Sequence, residues 1–68
     1  MNLRELMDPI PRNPQSLPKI DVLTWFEKIV EYEAVASRLP ADKVSDSDLE
    51  QLRGLQTAYK RVLIELCR

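Results

Sequence analysis

The stretch IDVLTWFEKIVEYEAVASRLP, residues 20–40, decides the fold. Val22, Trp25, Ile29, Tyr32, Ala36 and Leu39 recur at alternating steps of three and four, the spacing of one face of a helix. Leu23, Phe26 and Val30 form a second seam beside the first. At about 100° per residue the two seams cover roughly 200° of helix surface, more than the roughly 100° stripe needed to cover one core. A helix over 19–39 with two neighbours is therefore expected, ending before Pro40, which cannot continue the hydrogen-bond ladder.

Beyond it, SDSDLEQLRGLQTAYKRVLIELC, residues 45–67, repeats the pattern. Ser47 and Glu50 have the spacing of a capping box, which places a second helix over 47–67 after a connection at 40–46. Its seam is Leu52, Leu55, Tyr59, Val62 and Leu66, widened by Leu49, Ala58 and Leu63. Asp46, Asp48 and Glu50 sit at its start while Lys60, Arg61 and Arg68 lie towards its end, as the helix macrodipole favours. So short a connection makes the helices antiparallel neighbours, and the basic half of the second then faces Asp21, Glu27 and Glu31 of the first.

Upstream, Pro9, Pro11, Pro14 and Pro18 remove amide donors and turn the preceding residues away from helix, so Asp8 to Pro18 reads as an extended arm. Before it, Asn2 caps a short helical turn through Leu3, Leu6 and Met7. Residues 1–18 thus divide from a helical hairpin at 19–68. The fold class is all-α.

Composition narrows the function. With 68 residues, one Cys and no His, the chain forms no internal disulfide and lacks the donor set for structural zinc. Without His, a Gly-rich phosphate loop or an activating partner for Cys67, no catalytic residue, cofactor or metal site is assigned, and an enzyme is not expected. A net charge of −1 removes the cationic field that drives general nucleic-acid binding. There is neither a run of apolar residues to cross a bilayer nor a signal-peptide pattern, so a cytoplasmic location is the expectation.

Small domains seldom hold a single core with much margin, and oligomerisation is the remaining staple. The hairpin is expected to dimerise into a four-helix bundle, with Val22, Trp25, Phe26, Ile29, Val30, Leu55, Tyr59 and Val62 at the interface. The competing arrangement has the arm folding back to plug the groove of a monomer. Candidate partner-binding residues are Tyr32 at the polar edge of its helix, Glu33 inside the apolar arc, Arg12 at the centre of the arm, and Arg53 and Arg61, which can meet Glu33 or a partner. Gly54 and Ala58 make a small patch four residues apart.

These features describe a protein-binding module. A compact dimeric DNA-binding regulator is the alternative, opposed by the acids where a recognition helix would meet DNA; an antitoxin or structural subunit is another. The opening MNLRELMDPIP and the two-helix layout resemble small accessory proteins of temperate phages that silence host proteins, including quorum-sensing anti-activators. The resemblance spans the chain without a specific motif. It implies a homodimer that binds a host transcription regulator and blocks its attachment to DNA, with a second host target as a further implication.

Overall fold

The computed structural model describes residues 2–67; Met1 and Arg68, the latter counted above among the bases of the second helix, lie outside them. Among the described residues the chain is all-helical: α1 (Leu3–Met7), α2 (Lys19–Ala36) and α3 (Asp46–Leu66), with single 3-10 turns at Pro14–Ser16 and Ala41–Lys43. The molecule is a rod of 40 × 18 × 17 Å.

The N-terminal turn forms because the Asn2 side chain accepts the Glu5 amide at 2.9 Å. The Asp8 amide closes it on the Arg4 carbonyl at 3.0 Å before Pro9 ends it. The arm that follows is not uniformly extended. The Ser16 and Leu17 amides donate to the carbonyls of Asn13 and Pro14, both at 3.2 Å, so proline at the first position of a 3-10 turn bends the chain towards the hairpin.

The expected end of the first long helix at residue 39 shortens to Ala36. Beyond it Arg38 and Leu39 bond three residues back, to Val35 and Ala36, as the last turn tightens ahead of Pro40. The expected cap at Ser47 also moves. Ser45 caps α3, accepting the Asp48 amide at 3.1 Å, and Ser47 is already inside the helix. The reason lies in the flanking residues. With Ser45 as cap, Val44 precedes it and Leu49 is the fourth helical residue, so the two line one depression and pack on the core as a hydrophobic staple. A cap at Ser47 would put Asp46 and Gln51 in those places, with nothing to staple.

The core is a cluster of ten buried apolar side chains, and three of them, Leu3, Met7 and Ile10, come from the arm. They close over Val22 and Ile29 of α2 and Leu52, Leu55, Tyr59 and Val62 of α3. The arm therefore occupies its own hairpin, with α1 in contact with both long helices of the same chain, but Leu23 and Val30 of the second seam of α2 stay exposed. This corrects the expected interface. Val22, Ile29 and Tyr59 are fully covered within one chain and Leu55 and Val62 nearly so, whereas Trp25 and Phe26 are half-buried and Val30 is 43% exposed. Dimerisation into a bundle is not shown.

Two substitutions test this account in thermal or denaturant unfolding. Ser45→Ala should cost about 1 kcal/mol while Ser47→Ala costs little. Leu3→Ala, at the far end of the arm, should cost about 2–5 kcal/mol, since it empties a site in the shared core.

Candidate functional site

The hairpin has two edges, and the sequence treats them differently. Taking Ile29 as the α2 residue that faces the core, Trp25 and Tyr32 fall about 40–60° to one side, and Phe26, Val30 and Leu23 fall about 60–120° to the other. The arm closes an edge of α3. Arg12, Asn13, Pro14 and Gln15 share a depression of ≈ 180 Å³ with Ala58, Arg61, Val62 and Glu65.

One hydrogen bond holds the arm there. Tyr59, fully buried, donates its hydroxyl proton to the Pro11 carbonyl at 2.6 Å across 48 positions of sequence. Burial pushes the phenol above its ordinary value of 10.0, and the positive Arg12 nearby opposes part of that rise. Pro11 has no residue-specific donor to offer, but its carbonyl is free. A short bond to it places Arg12, the next residue, over α3.

The other edge is open. Val30, Glu33, Ala34 and Ser37 of α2 line a shallow groove with Gln56 of α3. Seven residues to either side of Gln56, and so on nearly the same phase, lie Leu49 and Leu63, both partly buried against the core. Leu23 is 41% exposed on this edge. Ile20, on the outer face of α2, is exposed too. Phe26 lies half-buried between them and the core.

The expected partner-binding residues separate into distinct places. Arg12 and Arg61 both line the depression at the arm. Glu33 is half-buried and lines a depression with Arg53 on the open edge of one chain; of Arg53, Lys60 and Arg61, the bases expected to pair with it across a bundle, only Arg53 shares that depression. Tyr32 is half-buried against the core on the opposite flank, so it is less a surface residue than its helix position implied. Trp25, on that flank too, carries the Lys28 ammonium 5.7 Å above its ring. Ala34, Ser37 and Gln56 line the open groove without a pattern in the sequence that points to them. The open flank of α2 was visible as the second seam, but periodicity alone cannot say which seam the arm would cover.

Among the described residues no group of His, Cys, Asp or Glu is placed to hold a metal ion, and no helix is long and apolar enough to cross a membrane. Cys67 is exposed. No family model, curated protein or solved structure matches the chain.

The raised phenol pKa fixes the sign of an alkaline effect. Below pH 10.0 Tyr59 is neutral in both states and its contribution is fully present; above it the unfolded chain ionises first, so stability falls as pH rises through the folded-state pKa. Tyr59→Phe should flatten that part of the stability profile and, at neutral pH, cost about 1 kcal/mol for the lost hydrogen bond. Unfolding followed from neutral to strongly alkaline pH measures both.

Proposed function

We propose that the chain is a small protein-binding module that acts as a homodimer and blocks a larger regulatory protein. The open apolar edge of the hairpin carries this reading. A chain whose arm already completes its core still leaves Leu23 and Val30 more than two-fifths exposed beside the half-buried Phe26. Contiguous exposed apolar residues of this kind mark interaction surfaces.

A second copy is the occupant that the charges favour. On this edge α2 carries Glu27 at its outer rim and α3 carries Arg53 and Lys60. Gln56 lies level with Val30 and Glu33, which puts Lys60 near the height of Glu27. A two-fold axis parallel to the helices sets α2 of each copy over α3 of the other and matches those charges. An axis across the helices would instead stack α2 on α2 and bring acid against acid. Exposed pairs are worth only about 0–1 kcal/mol each, so they choose the arrangement while apolar burial supplies the affinity.

Inhibition of a host transcription regulator, in the manner of phage anti-activators, follows from the resemblance in size and layout. Direct DNA reading is disfavoured by Asp46 and Asp48 in the first turn of α3.

Sedimentation equilibrium at micromolar concentration tests the dimer. The wild-type chain should sediment as a dimer, and Val30→Glu should yield a folded monomer with unchanged helical circular dichroism. A wild-type monomer throughout that range would refute the dimer. Purification of the tagged chain from its source cells tests the inhibitor reading: a regulatory protein should co-purify and lose DNA binding when the chain is added back, and retention of full DNA binding would refute it.

A further inference from the structure

Two arginines that are 49 positions apart in sequence border one depression at the arm. Arg12 and Arg61 line the same ≈ 180 Å³ space, together with Asn13 and Gln15 and one acidic residue, Glu65. Arg12 also borders a second depression, lined by Gln51, Gly54, Leu55 and Ala58. The two depressions share Arg12 and Ala58 in their linings and so lie next to one another along α3.

Gly54 lines the second of these depressions and is not required by the fold. It has no positive φ, and a Cβ added to it would meet nothing within 4 Å. In a helix interior glycine costs about 1 kcal/mol relative to alanine, so the fold alone gives no return for it. What its missing side chain does provide is a low floor next to Arg12.

We infer that the two depressions form one groove, a recognition site for an acidic segment of a protein partner, with Arg12 and Arg61 binding its carboxylates. Guanidinium groups pair with carboxylates through two parallel hydrogen bonds, and the amides of Asn13 and Gln15 add donors to the same end. The single carboxylate of Glu65 leaves the Arg12 end with excess positive charge. Gly54 and Ala58 let the backbone of the segment lie close to α3 between that end and Gln51. The site rests on the reading of the chain as a protein-binding module, and it lies by the arm, away from the edge assigned to the second copy.

The test is fluorescence anisotropy with the full chain and a labelled peptide rich in Glu and Asp between leucines. The expected result is saturable, salt-sensitive binding, weakened about tenfold by Arg12→Gln and by Arg61→Gln, as for loss of a charge-assisted hydrogen bond. Arg38→Gln, which removes a charge outside the groove, should leave binding unchanged. Gly54→Leu should block the groove while keeping or raising the melting temperature, so its effect cannot come from unfolding. Absence of saturable binding at millimolar peptide would overturn the site. So would equal loss in Arg38→Gln, undiminished binding by Gly54→Leu, or tighter binding of the Gln/Asn version of the peptide or of a single-stranded oligonucleotide. Sedimentation of the same samples reports the dimer independently, so failure of the groove and failure of the dimer are separate results.

Discussion

Tyr59 is the point on which the rest of the structure depends. Its ring fills the centre of the core between the hairpin and the arm, and its hydroxyl, which would be costly to bury alone, finds a partner in the Pro11 carbonyl. Proline makes this possible in two ways. It fixes the backbone of the arm before docking, which lowers the entropy lost on ordering it, and it lies where no amide donor needs a partner. With that bond made, Ile10 before it enters the core and Arg12 after it is left on the surface. A single contact therefore sets both what the arm covers and what it displays.

The arm can cover only one edge of a two-helix hairpin. Its three buried side chains supply nearly a third of the core, which adds to what the two helices of a chain of this size can bury between them. The same geometry leaves the other edge unclosed. The molecule thus has a finished side, where a polar groove runs beside the arm, and an unfinished side, where apolar side chains are half-exposed. These sides differ in chemistry: Leu23 and Val30 are exposed on one, and Arg12 and Arg61 border the other.

Much of the fold could be read from the sequence, because the features that carry it are periodic or local. The two long helices follow from apolar spacing, their antiparallel arrangement from a short connection, and the first turn from Asn2. What escaped was decided by contacts between distant residues. Local pattern favours Ser47, which has Glu50 three residues on, whereas the packing of Val44 and Leu49 against the core goes with a cap at Ser45. The destination of the arm was likewise hidden: Leu3, Met7 and Ile10 could have packed in their own chain or in a second one, and periodicity does not say that they join this chain's core or that the Tyr59 hydroxyl bonds to Pro11 beside them. The packing of the arm in its own chain reassigned Val22, Ile29, Leu55, Tyr59 and Val62 from an interface to a core. It also explains why Arg12 and Arg61, each noticed as an isolated charge, lie in one place.

Stability and recognition compete along α3. Its inner face buries Leu52, Leu55, Tyr59 and Val62, and Asp46 and Asp48 in its first turn suit the macrodipole, whereas its last turn, residues 63–66, carries no base to match them. Its outer face does not follow the same rule. Gly54 weakens the helix in a place where alanine would fit, and Ile64 stands 52% exposed above Lys60 and Arg61. A helix selected for stability alone would have alanine at 54 and a polar residue at 64. The departures fall on the surface, where they cost little individually, and beside the basic residues, where a partner would gain most from close approach. The core thus fixes the position of α3, and its outward face is free to be shaped by something other than folding.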